Sequence, residues 1–235
     1  PVTLVERNSA VEQDIRASTI HPPSLEMMAP YGITKEVFAN GLKVPQWQIR
    51  NHVTGEYVIF DLNHIADETE YPYRVQCEQS KLCEIMDRSL KGIPLADIRY
   101  CTEFLSAEQD DSGVTIKVVI NGHQDQLRGL FLIAADGGSS TIRSQLRLPF
   151  EGSTYPERTV LVTTPFPFHE YIEGLSSVTY CWQEKGNFSL LQLPHQWRAS
   201  LYFPEELSPE EAQSEDRVQQ QLQDICPSEE PFEIY

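Results

Sequence analysis

The sequence predicts an α/β chain, α+β in its layout, with an open-sheet part, a β-meander and a separate antiparallel sheet. Three observations carry that prediction. A wholly apolar run, Phe131-Leu132-Ile133-Ala134-Ala135, passes straight into Asp136-Gly137-Gly138 and a short helical tail, Thr141 to Leu146, which reads as buried strand, sharp turn and helix N-terminus. Leu82, Ile85, Met86 and Leu90 repeat at helical spacing between Gln79-Ser80 and Gly92. Residues 159–165, 177–183, 187–193 and 197–203 are rich in Val, Thr, Tyr, Trp and Phe and read as the strands of an antiparallel sheet in a second domain.

Bulk properties bound the rest. A chain of 235 residues fits one large domain or two small ones, and 40% hydrophobic content suffices for a core. A formal net charge of −17 argues against nucleic acid or an anionic membrane as the main partner. Cys77, Cys83, Cys101, Cys181 and Cys226 form no CxxC and no metal-spaced cluster with His. Reduced, mostly buried thiols in a cytoplasmic protein are the reading. No apolar run reaches membrane-span length, and no signal peptide opens the sequence. Pro-Val-Thr-Leu-Val-Glu reads as a strand already under way and Pro231–Tyr235 as one unfinished, so a chain cut from a longer protein at both ends is expected.

In chain order, Val2–Val5 is a short strand ending in Glu6-Arg7. A carboxylate at such a strand end can accept hydrogen bonds from a ribose diol, although it normally lies roughly 20 positions beyond a GxGxxG loop, and none of the twelve glycines forms one. Asp14 to Thr19 is a polar loop in which Arg16 is either a phosphate grip or a solvated side chain. Pro22-Pro23-Ser24 starts a short helix, stopped near Pro30 to Gly32, with Met27 and Met28 as packing residues. Residues 41–75 are β-rich: Val44–Arg50, a turn over Asn51 to Gly55, then Tyr57–Leu62, with His52 and His64 exposed. Gln79 opens the next helix, where it either meets a phosphate or caps its own helix.

Asp97–Phe104 is a strand, and Val114–Ile120, Asn121-Gly122 and the return through Gln126 and Arg128 form a hairpin. The Asp136 turn presents backbone N–H groups and one carboxylate at the end of a sheet, as ligand sites in open α/β sheets do; a plain connection explains the same residues. Gly152 to Pro156 is a crossing into the second sheet. Tyr180, Trp182, Phe188, Trp197 and Tyr202 read as core residues of that sheet. Ser208-Pro209-Glu210-Glu211 starts a helix with a capping box, with Val218, Leu222 and Ile225 as its buried stripe and the acids from Glu205 to Asp216 as a solvated face. No GxSxG, HExxH or Walker loop is present, so any catalysis falls to a bound cofactor.

Leu4-Val5-Glu6-Arg7, Arg16-Ala17, Gln79-Ser80-x-Leu82 and Asp136-Gly137-x-x-Ser140-x-x-Arg143, in that order, resemble the single-component FAD-dependent aromatic hydroxylases of the para-hydroxybenzoate hydroxylase group. Glu26, Phe150-x-Gly152 and Trp197-Arg198 extend the resemblance along the whole chain. Two of the family's fingerprints, GxGxxG and a late Gly-Asp pair, are missing. The resemblance implies an incomplete Rossmann-like FAD-binding domain over residues 1–40 and 76–150. It implies a β-rich substrate-side insertion over 41–75 and a substrate-binding antiparallel sheet plus helix over 151–235.

By the resemblance, Glu6 holds the adenosine ribose of FAD, with Arg7 beside the adenine. Arg16 lies near the pyrophosphate and Ala17 continues that backbone contact. Gln79 contacts the phosphate region, and the Phe104 backbone faces the adenine side. Asp136 and Gly137 serve FAD and NAD(P)H, while Arg143 supports their turn. The implied activity is hydroxylation of a phenolic substrate with O2 and NAD(P)H through a flavin C4a-hydroperoxide, with a homodimer as one assembly it allows. A flavoprotein halogenase or dehydrogenase, or a non-catalytic binding module, are the alternatives, and the 235 residues alone are expected to be inactive.

Overall fold

The computed structural model describes residues 1–155, 158–184, 186–204 and 206–235, and they form two compact units. One unit comprises residues 1–12 and 87–154, the other residues 13–86 and 155–235. In chain order the first elements are β1 (Val2–Val5), β2 (Thr19–Ile20), α1 (Pro22–Met28), α2 (Ile33–Asn40), β3 (Leu42–Val44), β4 (Gln46–Asn51), β5 (Tyr57–Asp61), β6 (Arg74–Gln76) and α3 (Gln79–Lys91). Then come β7 (Ala96–Arg99), β8 (Thr102–Asp110), β9 (Gly113–Ile120), β10 (His123–Gly129), α4 (Thr141–Gln145), β11 (Arg158–Thr164) and α5 (Phe168–Tyr171). The last are β12 (Val178–Trp182), β13 (Phe188–Gln192), β14 (Trp197–Phe203), α6 (Pro209–Ala212) and α7 (Glu215–Ile225).

In the first unit β1 and β7 pair in parallel, from Val2 opposite Ala96 to Val5 opposite Arg99. The meander is present as β8, β9 and β10, and its Asn121-Gly122 turn has positive φ at both residues, as a tight hairpin that matches strand twist requires. The single strand expected over Asp97–Phe104 is instead two. The chain must leave the parallel pair for the meander, and it turns at Cys101, whose φ is 51°.

The largest correction concerns Phe131–Ala135. It is not a buried strand: Phe131 is 88% exposed and Ile133 86%, and residues 130–136 join no ladder among the described residues. An apolar run becomes a strand only where a neighbour takes its backbone N–H and C=O groups.

The second unit is built on a six-stranded sheet in the order β11-β14-β13-β12-β4-β5. All neighbours are antiparallel except β12 and β4, which run parallel. One face carries Cys181, Phe188, Leu190, Ala199 and Leu201, which pack with Val218, Leu222 and Ile225 of α7 into the main core. The helix expected from Ser208 is split. α6 has the anticipated capping box, with Glu211 N donating to Ser208 Oγ (3.2 Å) and Ser208 N to Glu211 Oε2 (2.8 Å); the chain then restarts at Ser214 as α7. Pro156 of the anticipated crossing and Glu205 of the acidic face lie outside the described residues.

Phe188 and Trp197 are buried, but Tyr180 is 40% and Trp182 60% exposed. Alternation places these two on the face opposite Cys181, away from α7. A small sheet, β2-β6-β3, packs with α1, α2 and α3 around Leu25, Val37, Val75 and Ile85. Helix α2 had no counterpart in the sequence reading; buried Val37 anchors it, and Thr34 Oγ1 donates to Leu25 O at 2.6 Å. Met28 packs into this core, whereas Met27 is exposed. His52 is half-buried rather than exposed, its ring edge-on to Phe188 at 5.0 Å, and burial holds its pKa below the usual value.

Candidate functional site

In the first unit β1 delivers Glu6 to the end of the parallel pair. Its backbone is fixed on both sides, Glu6 N donating to Arg99 O and Thr102 N to Glu6 O, each at 2.9 Å. Its Oε1 accepts from Asn8 N at 2.8 Å, so the carboxylate is turned back over the chain that follows. Arg7 is exposed beside it. Phe104 lies at a bulge in β8, where the register shifts between Phe104 and Ser106. Gln145 of α4 donates to Leu105 O within that bulge.

The Asp136 turn closes on itself. Asp136 Oδ1 accepts from Ser140 Oγ at 2.6 Å and Oδ2 from Ile142 N at 3.1 Å. The Ser140 hydroxyl and the Ile142 amide together hold the carboxyl below the usual carboxylate range. Ser140 Oγ caps α4 by accepting from Arg143 N at 3.0 Å, and Arg143 Nη2 donates to Gly138 O at 2.7 Å. Arg143 thus supports the turn, stacked over Phe150 at 4.0 Å. Gly137 has φ 77°, a conformation that favours glycine. Asp136, Gly137, Ser140 and Arg143 line a cleft of about 260 Å³.

In the second unit Arg16 is folded onto Asp14, donating from Nε at 2.7 Å and from its backbone N at 3.0 Å. These bonds hold the Asp14 carboxyl low. Ala17 O accepts from Gln79 N at 2.8 Å, so the loop and the start of α3 meet directly. The Gln79 side chain is exposed.

Sequence reasoning missed what holds this loop. Gln76, fully buried, bonds Ser18 and Thr19. Arg198 of β14 donates from Nη1 to Ser18 Oγ (3.0 Å) and from Nη2 to Arg16 O (2.8 Å). Two signals were available: a polar residue inside the apolar stretch Val75-Gln76-Cys77, and Arg198, which the sequence had marked beside Trp197 without a role. Among the described residues no His, Cys, Asp and Glu group is placed to hold a metal, and no helix is long and apolar enough to cross a membrane.

The chain was compared with known proteins. Residues 1–230 match the family described as FAD binding domain. The chain belongs to this FAD-binding family. It is 27% identical over 236 residues to 6-hydroxy-3-succinoylpyridine 3-monooxygenase of Pseudomonas putida, covering 99% of this chain and 59% of that protein. It is 25% identical to para-nitrophenol 4-monooxygenase of a Pseudomonas species, over 96% of this chain and 56% of that protein. The crystal structure of p-nitrophenol 4-monooxygenase from Pseudomonas putida DLL-E4 shares its fold, with a TM-score of 0.91 at 22% identity over 99% of this chain and 59% of that one. The chain therefore spans under two thirds of these relatives.

The residues present fit the family's cofactor in their chemistry. A strand-end carboxylate, Glu6, suits a ribose diol; a guanidinium and an amide, Arg16 and Gln79, suit phosphate oxygens. Glu6, Arg7, Phe104, Asp136 and Gly137 belong to one unit, and Arg16, Ala17 and Gln79 to the other.

Proposed function

We propose that this chain is the larger part of an FAD-dependent monooxygenase that hydroxylates a small phenolic substrate, with O2 as the oxygen source and NAD(P)H as reductant, in the cytoplasm. The observation that carries this reading is the match along nearly the whole chain to two monooxygenases of hydroxylated rings. When bound, FAD supplies the redox chemistry.

The chain's own residues bind and orient. Glu6 would hold the adenosine ribose, and Arg7 and the Phe104 strand backbone would hold the adenine. Arg16 and Gln79 would hold the pyrophosphate oxygens through a guanidinium and an amide, with Ala17 adding a backbone contact and the α3 N-terminus favouring the negative charge. Asp136 acts as a scaffold and not as a general acid, since both its oxygens are already engaged in the turn. Residues 1–40 and 76–150 form the cofactor part; residues 41–75 and 151–235 form the substrate side, which orients the ring and excludes water.

The test is the absorption spectrum and NAD(P)H consumption of the full-length protein with phenolic substrates. A flavin spectrum with substrate-stimulated NAD(P)H oxidation and a hydroxylated product is expected. A colourless protein that consumes no NAD(P)H would refute the reading. Arg16→Ala and Gln79→Ala are expected to weaken flavin retention, and unchanged retention in both would remove those assignments.

A further inference from the structure

The two edges of the six-stranded sheet differ. At β11 residue Tyr235 lies alongside: Thr163 N donates to Tyr235 O at 3.1 Å and Tyr235 N to Thr163 O at 2.9 Å. At the other edge β5 pairs with β4, and among the described residues nothing pairs with its outer side.

Pairing with β4 fixes which backbone groups are left over. In an antiparallel ladder, bonded and non-bonded pairs alternate. Asn51 N donates to Glu56 O at 2.8 Å, and at the far end Leu62 N donates to Pro45 O at 2.9 Å. Both bonds fall on one set of alternate pairs, which in between takes in Ile49 with Val58 and Trp47 with Phe60. Val58 and Phe60 therefore turn their N–H and C=O groups to β4, while Tyr57, Ile59 and Asp61 direct theirs outward.

The side chains of β5 are as open as its backbone. Val58 is 61% exposed, Tyr57 47%, Ile59 46% and Phe60 39%. Sheet edges are ordinarily blunted by lysine, proline, a bulge or a covering segment. β5 carries no lysine or proline, and its ladder with β4 runs without a register shift. Ile49, paired with Val58, and Val53 in the hairpin turn are exposed too and extend the apolar surface. A regular apolar edge of this kind is a template for another strand.

The sequence of β5 favours one such strand. A second β5, run antiparallel about a two-fold axis at Ile59, pairs every outward residue with an outward residue: Ile59 with the partner's Ile59, and Tyr57 with the partner's Asp61. The positions between them set Val58 against the partner's Phe60, and Glu56 against the partner's Leu62. Apolar meets apolar, and no carboxylate faces a carboxylate. Moving the axis to Val58 would set Glu56 against the partner's Phe60 and carry Asp61 past the end of the partner strand. Moving it to Phe60 would carry Tyr57 past that end. β5 is self-complementary in the register centred on Ile59.

We propose that β5 is a self-association edge: two copies of this chain pair β5 to β5, antiparallel about a two-fold axis at Ile59, and join their six-stranded sheets into one. The inference goes beyond the monooxygenase reading and does not depend on bound flavin.

The test uses the full-length protein. Sedimentation velocity over a concentration series is expected to show a monomer–dimer equilibrium in the wild type. Ile59→Pro removes the outward N–H at the axis, which β4 does not use, and both copies carry the change; the dimer dissociation constant should rise about tenfold or more. Ile59→Cys reads the register directly, in a Cys101→Ser background that removes the exposed native thiol. Bonded antiparallel pairs hold their Cα atoms about 5.5 Å apart, within disulfide reach, so mild oxidation should join two copies through the new thiols. Val53→Cys, exposed but far from the axis, should not cross-link. The cross-link provides the readout should Ile59→Pro not fold. A wild type that is monomeric at every concentration, a dimer unchanged by Ile59→Pro, or cross-linking no greater at Ile59→Cys than at Val53→Cys would overturn the proposal. A further segment of the full-length chain lying over β5 would give the first and last of these results.

Discussion

Replacing Arg198 by leucine tests whether the loop carrying Arg16 and Ala17 is held ready for a cofactor. The side chain makes two charged-donor hydrogen bonds, at 3.0 Å to Ser18 Oγ and 2.8 Å to Arg16 O. Such bonds contribute about 1.5–3 kcal/mol each. Against that stands the cost of burying the guanidinium, which pushes its pKa down. Solvent access screens the remainder, and Ser18 Oγ keeps a 3.4 Å contact with Gln76 Oε1, so no hydroxyl is orphaned. The net loss is about 2 kcal/mol of stability. Freeing the loop also adds an ordering cost to cofactor binding of about 1–2 kcal/mol, a roughly tenfold weaker FAD affinity. Urea unfolding of the full-length variant reads the first quantity and flavin titration of the apoprotein the second. A stability loss with FAD affinity unchanged within about twofold would refute the link between loop and cofactor. Unchanged stability would refute the clamp itself.

Three further outcomes are expected. Gln76→Leu leaves the Thr19 hydroxyl without its amide partner and should cost about 1–2 kcal/mol in urea unfolding, with FAD affinity falling in parallel; a neutral substitution would show that the Gln76 bonds contribute nothing net. Thiol titration of the native protein with a disulfide reagent should modify exposed Cys101 first and Cys83 later, whereas Cys77 and Cys181, their pKa pushed up by burial to about 11 and about 12, should react only on unfolding; early Cys181 modification would contradict the core packing. His52 has a folded pKa below its unfolded value, so its stability contribution is full above about pH 6.5 and is lost as pH falls from there toward the folded pKa. Stability should therefore decline on acidification by at most about 1.4 kcal/mol per pH unit from this group, and His52→Asn should flatten the profile in part, His21 acting in the same direction.

How much of this was legible in the sequence depends on how far a residue must reach for its partner. The β9–β10 hairpin, α3, the capping box and the α7 stripe all express local rules, and each stands where periodicity and turn residues put it. α2 was missed because one buried valine and one turn-ending glycine are a weak periodic signal; its place comes from packing on Leu25 and Val75. Tyr180 and Trp182 were misread because alternation reveals that a strand has two faces, not which face a helix will cover. At the site, Glu6, Arg16, Gln79 and Asp136 were visible as residue types in order. The Arg198–Ser18 bond spans 180 positions and the Gln76–Ser18 bond 58, and no local pattern announces either.

The stretch from Phe131 to Arg143 holds both cases side by side. From Asp136 onward every bond is short-range: Asp136 to Ser140 and Ile142, Ser140 to Arg143, Gly138 to Arg143. Closing loops of three to six residues costs little entropy, so this turn can form on its own chemistry. Phe131–Ala135 has no such autonomy. Its apolar side chains record that burial would be favourable, but backbone pairing must come from elsewhere, and among the described residues none does. The exposed apolar surface it shares a unit with, at Val2, Leu4, Ile93 and Leu95, is of the same kind. The turn that presents Asp136 and Gly137 is thus the self-sufficient half, and a substitution at Ser140 should disturb it more than any change in the apolar run that precedes it.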